Sequence, residues 1–149
     1  MIRIDNQGLE QIQAHALSTF PDECCGFLFG SEQPGSEREI TQVHQVTNAK
    51  SGDKRRRFEI TPKDYMRAER YAQENQLLLL GIYHSHPGHP AIPSEHDRLA
   101  AQPFFSYLII SVLPDRIDHI RSWRLNENAI FEEEIFSPVI KNQSISWQQ

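Results

Sequence analysis

Gly81-Ile82-Tyr83-His84-Ser85-His86-Pro87-Gly88-His89-Pro90-Ala91-Ile92-Pro93-Ser94-Glu95-His96-Asp97 is the stretch on which the reading of this chain turns. It completes a nearly continuous apolar run, Leu77 to His84, of the kind found in a central strand covered on both faces. Side chains on a strand alternate, so His84 and His86, two apart at its end, point the same way and can share one ion. After ten intervening residues comes Asp97, in the first turn of a short helix expected over Ser94 to Ala101. Pro87, Pro90 and Pro93 stiffen the loop between, which can return Asp97 to the strand end. Two imidazoles and one carboxylate leave a fourth position to water, the open pattern of a catalytic zinc site.

The pair alone is weak evidence. With 7 His in 149 residues, chance supplies about 0.3 His-x-His pairs. Requiring Asp at its spacing lowers that to about 0.015, and requiring Ser three residues before it to about 0.001. Each residue also has an ordinary reading. Ser94 and Asp97 make a capping box at a helix start. His84 and His86 taken singly would be buried, hydrogen-bonded histidines. His15, His44 and His119 show no ligand spacing, whereas His89 and His96 flank the stretch and are candidates for substrate contact.

Outward from this stretch the chain alternates short strands with helices. Ile2 to Ile4 opens as a strand, and Leu9, Ile12, Ala16 and Phe20 then recur at helical spacing behind Asp5 or Asn6 as cap. Cys25 to Gly30 is an apolar run bounded by glycines, and Glu39 to Val46 and Arg57 to Ile60 are two further strands. Thr61-Pro62-Lys63-Asp64 opens a helix running to about Asn75, with Thr as cap and Pro in the first turn. Ser106 to Val112, Arg116 to Leu125 and Ile130 to Phe136 complete the strands. The fold class is α+β, a curved, mostly antiparallel sheet with helices packed on it. Residues 1–137 are expected to form one domain and residues 138–149 a polar tail.

Composition narrows the setting. The hydrophobic share of 38% suits one soluble core, and the length excludes a (β/α)₈ barrel, which needs roughly 200 residues or more. A net charge of −5 argues against a general nucleic-acid binder. The one basic run, Lys54-Arg55-Arg56-Arg57, reads either as solvated loop charge or as a docking patch for an acidic partner. No signal-peptide layout opens the chain, and no run approaches the roughly 18 apolar residues of a membrane span. Adjacent Cys24 and Cys25 cannot close a useful loop and suit a reducing compartment, so the expected location is cytoplasmic, away from membranes.

His84-Ser85-His86-Pro87, six residues, Ser94, two residues and Asp97 resemble the signature of the JAMM (MPN-type) zinc metalloproteases. That family also carries a glutamate before a Cys-Gly pair that begins a strand, and Glu23 in Pro21-Asp22-Glu23-Cys24-Cys25-Gly26 matches it. A weaker match is Asn48 followed by Arg57 to Pro62. The resemblance implies an MPN-like (cytidine-deaminase-like) fold. It also implies one Zn²⁺ per chain, held by His84, His86 and Asp97. Glu23 would be general base and then acid, and Ser94 would donate to the oxyanion. Without the resemblance Glu23 would read as a surface acid. Cys24 and Cys25 read as buried packing residues rather than nucleophiles. Gly88 stands where a metallo-β-lactamase-like His-x-His-x-Asp-His motif needs aspartate, and the cupin spacing is missing.

Within that family this chain is similar to the compact bacterial forms. The interval from Asp97 to the Ser106 strand leaves little room for an insertion that grips a ubiquitin chain. The implied substrate is the C-terminus of a ubiquitin-like sulfur carrier protein, entering as an extended tail. A general small peptidase or amide hydrolase and a non-catalytic MPN scaffold are the alternatives, although scaffolds usually lose a metal ligand and none is lost here. The oligomeric state is not fixed by the sequence.

Overall fold

The computed structural model describes residues 1–139. Eight strands form one sheet in the order β7-β6-β5-β4-β2-β3-β1-β8. They are β1 (Ile2–Asp5), β2 (Cys25–Gln33), β3 (Glu37–Val46), β4 (Leu78–Pro87), β5 (Ser106–Val112), β6 (Ile117–Leu125), β7 (Phe131–Glu134) and β8 (Phe136–Val139). The helices are α1 (Asn6–Thr19), α2 (Pro62–Glu74) and α3 (Glu95–Ala100). Four of the seven strand pairings are antiparallel. The α+β reading and its mostly antiparallel sheet therefore hold.

The sheet is strongly curled. A single residue, Ile135, joins β7 at one edge to β8 at the other, so the two edges lie within a few residues' reach. Arg124 on β6 donates from Nη2 to Ser36 O in the β2–β3 turn, 2.9 Å away across the fold. Buried Arg38 on β3 reaches past β2, donating to Leu80 O at 3.1 Å and Ser106 Oγ at 2.9 Å. The strand expected over Ile130 to Phe136 is thus two strands belonging to opposite edges. The boundary expected at 137 falls inside β8, and residues 140–149 of the expected tail lie outside the described residues.

Each sheet face has its own core. Ile12 and Ala16, one turn apart on α1, pack with Ile2, Leu28, Leu80 and Leu108. Ala68 and Ala72 of α2 pack on the other face with Phe27, Phe29, Ile82 and Tyr107. Helix starts follow the expected capping chemistry. Asp5 Oδ1 accepts from Gly8 N at 2.8 Å, and Thr61 Oγ1 from Asp64 N at 3.1 Å. Beside Cys25, Gly26 is required by crowding, because a Cβ there would lie 2.2 Å from Tyr83 Cε2 and 2.4 Å from His44 O. Arg57 to Ile60 joins no ladder. Ala49 N donates to Glu59 O, and Phe58 stacks on His84 with ring centroids 4.6 Å apart, so the segment covers the end of β4 instead of widening the sheet.

Candidate active site

β4 lies between β2 and β5, and its alternation puts His84 and His86 on the α2 face with Ile82. Both imidazoles are buried, 1% and 2% exposed. Asp97 is the third residue of α3, where Ser94 caps the helix. Ser94 Oγ accepts from Asp97 N at 3.0 Å, and Ser94 N donates to Asp97 Oδ2 at 2.9 Å. The capping box and the ligand position are therefore compatible, because the same carboxylate oxygen also faces the histidines.

The three groups converge as a small triangle. His84 Nε2 and His86 Nε2 are 3.2 Å apart, and Asp97 Oδ2 lies 3.4 Å from the first and 3.2 Å from the second. With zinc–ligand lengths of about 2.0–2.2 Å, neighbouring ligand atoms of a tetrahedral ion sit about 3.3–3.6 Å apart, so the donor set fits one zinc-sized cation. His86 Nδ1 donates to Pro90 O at 2.8 Å, which leaves the Nε2 lone pair directed at the triangle. His84 lacks such a partner, since its Nδ1 is buried with none among the described residues. Burial opposes charge on Asp97, but His84, the hydrogen bonds from His84 and His86, and the Ser94 amide hold its carboxyl well below the usual range.

Glu23 sits at the start of β2, 3% exposed, with Oε1 buried and unpartnered among the described residues. Its carboxylate, His86 and His89 offer ligand atoms that all lie within 4.8 Å of one another. Burial, then the charges of Asp97 and Asp53, push its carboxyl up to about 9. A cation arriving beside it would lower that value. Exposed His89 stacks on His86, with ring centroids 4.2 Å apart. On the opposite flank a cleft of about 290 Å³ opens beside His84 and Asp97, lined by Lys50, Phe58, Ile60, Tyr65, His96 and Tyr107.

Several supports were invisible in the sequence. His119 Nε2 accepts from Ala91 N at 3.0 Å, Trp123 Nε1 donates to Ala91 O at 3.0 Å, and Ser111 Oγ donates to His89 O at 2.7 Å. Thus β5 and β6 clamp the loop that carries α3, and the prolines are only part of its rigidity. Asn48 is a second tie. Its Nδ2 donates to Glu23 O and Arg57 O, both at 3.1 Å, while Oδ1 accepts from Lys50 N and Glu59 N, both at 3.0 Å. Cys24 and Cys25 are buried free thiols pushed up to about 11 and about 12, chiefly by burial, which suits packing rather than attack.

Residues 5–126 match the family described as prokaryotic homologs of the JAB domain, and the chain belongs to it. It is 32% identical over 123 residues to the CysO-cysteine peptidase of Mycobacterium tuberculosis, covering 82% of this chain and 81% of that protein. It is 30% identical over 120 residues to the desampylase of Pyrococcus furiosus, covering 80% and 79%. The solution structure of a Desulfitobacterium hafniense protein superposes with a TM-score of 0.80 at 31% identity, covering 96% of this chain and 94% of that one. The family resemblance in the sequence and the MPN-type fold are both upheld. Among the described residues no helix is long and apolar enough to cross a membrane.

Proposed function

We propose that this protein is a zinc-dependent hydrolase that cuts an amide or isopeptide bond at the C-terminus of a ubiquitin-like sulfur carrier protein. The observation that carries the reading is the triangle of His84, His86 and Asp97, with edges of 3.2–3.4 Å, beside buried Glu23, whose Oε1 has no partner among the described residues. His84, His86 and Asp97 would hold one zinc per chain, and a zinc so held supplies a Lewis acid that makes water nucleophilic near neutral pH. Glu23 would take the proton from the attacking water and return it to the leaving amine. Ser94 Oγ accepts from the Asp97 amide, so its own proton is free to donate to the oxyanion, a contribution of about 10²–10³ in rate.

The related peptidase and desampylase names support hydrolysis of a bond at a protein's end, and the short interval after α3 supports a compact substrate site. The cleft lined by Phe58, Tyr65 and Tyr107 supports an extended tail lying along the metal. Free, buried Cys24 and Cys25 support a reducing, cytoplasmic setting. The test has two parts. Zinc per chain is counted by native mass spectrometry for the natural protein and for Asp97→Ala, and the zinc-loaded protein is given a C-terminally extended carrier. One zinc, lost in the variant, together with release of the extension, is the expected result. A folded, zinc-supplemented protein that retains no zinc, or one that cuts only small amides, refutes the reading.

A further inference from the structure

We propose that the loop Lys54–Arg57 is a docking surface that receives an acidic face of the substrate's folded body. This rests on the reading of the site as a hydrolase of a ubiquitin-like carrier, and it concerns the part of that substrate remote from the scissile bond. The chain as a whole is acidic, at −5, yet four cations stand in succession here. Arg55, Arg56 and Arg57 are exposed. Among the described residues none of the four has a carboxylate within ion-pair distance; Arg3 and Arg70 share that lack singly, whereas Arg38, Arg67, Arg98, Arg116, Arg121 and Arg124 are paired, and only here do unpaired cations stand together. Adjacent like charges repel, and among the described residues no side-chain ion pair offsets that repulsion.

The loop is also held at the site. Glu23 N donates to Lys54 O at 2.7 Å, and Asn48 links Arg57 O to Glu23 O through one amide nitrogen. Asp53 Oδ1 accepts from Arg55 N at 2.9 Å, which shapes the turn. The cations therefore stand at a fixed place beside Glu23, just before β2, whose carboxylate lies close to His86. Lys50, on the wall of the cleft, adds one more cation at the site. A carrier whose tail lies in the cleft brings its body against these cations, and an acidic body would be steered there. A polyanionic nucleic acid is disfavoured, because the loop is short and the chain's net charge is −5.

The test compares the natural protein with the double variant Arg55→Glu, Arg56→Glu. The substitutions alter exposed side chains and leave the backbone bonds to Glu23 and Asn48 in place. Three probes are used: an acidic ubiquitin-fold carrier with a C-terminal extension, a short peptide spanning the same bond, and a single-stranded RNA oligomer. Cleavage kinetics are measured, and carrier and RNA binding is measured separately by fluorescence anisotropy. On the folded carrier, kcat/KM is expected to fall about tenfold at low salt through KM, with kcat unchanged, and the gap should close near 1 M salt, where the Debye length is about 3 Å. Peptide cleavage should be unaltered. Equal loss on carrier and peptide, no loss on either, or lost affinity for RNA alone overturns the docking surface. If the natural protein cuts no carrier but binds it in a salt-dependent way that the variant loses, docking stands and the hydrolase reading falls.

Discussion

Replacing Asn48 by Ala removes four hydrogen bonds at once, two donated to Glu23 O and Arg57 O and two accepted from Lys50 N and Glu59 N. A net hydrogen bond contributes about 0.5–1.5 kcal/mol, and the penalty grows where a partner stays buried. Three of the four released backbone groups lie on a partly exposed loop and can turn to water, so the low end applies to them. Glu23 O sits beside a buried side chain and takes the larger share. The expected loss is about 2–3 kcal/mol, a large fraction of a total that is commonly about 5–15. It corresponds to a fall in Tm of about 5–10 °C for a chain of this length. Urea denaturation of metal-free protein measures it directly. Trypsin supplies a local readout, because Lys54 to Arg57 is a run of cleavage sites whose backbone Asn48 pins, and nicking there should accelerate. Asn48→Asp keeps both acceptor bonds but aims an anion at two carbonyls, and it should be no better than Ala. A loss under about 0.5 kcal/mol with unchanged nicking would refute the view that this side chain ties the loop to β2.

Metal-free protein should lose stability as pH rises from about 4.5 to about 9. Over that range folded Glu23 keeps a proton that the unfolded chain has released, so its contribution is full below the lower value and gone above the upper. Glu23→Gln cannot ionise and should lack this slope, so parallel stability curves for the two proteins would show the assignment to be wrong. Gly26→Ala should destabilise by about 3 kcal/mol or more, since the new methyl meets the Tyr83 ring and His44 O, and near-wild-type chemical denaturation would count against the packing described. Trp123→Phe removes the bond to Ala91 O and His119→Ala the bond from Ala91 N. Each should cost about 1 kcal/mol and weaken zinc retention during competition with a chelator, and unchanged retention would mean that the clamp does not set the position of Asp97.

The site was more legible than the sheet that holds it. His84 and His86 share a face because of strand periodicity, and Asp97 is placed by a capping box, so both depend on neighbours in sequence. Thr61-Pro62 likewise announced α2 by local chemistry. Sheet membership is different, because it depends on partners far along the chain. Phe58 and Ile60 alternate as strand residues do, but they bury against His84 and the α2 core rather than extending a ladder. Nothing local marks Ile135 as the passage from one sheet edge to the other. His119 has no ligand spacing because its work is to hold a peptide group, and only the register of β6 beside β5 brings it there. Glu23 was assigned through resemblance, since a lone acid before a strand carries no signal that it will be buried.

The curl of the sheet also orders events during synthesis. β1 is made before either of its neighbours, and β3 follows within the first third of the described chain, with Ile2 beside Arg38. Its other neighbour is β8, where Ile2 stands beside Phe136, so that side of β1 waits until nearly all the described residues have emerged. Until then a nascent protein presents a strand edge to whatever it meets, the exposure that invites mispairing. Closure is a late and long-range step that favours slow folding. A ribosome stalled between α3 and β8 would hold every metal-facing residue named here while β1 still lacked its second partner.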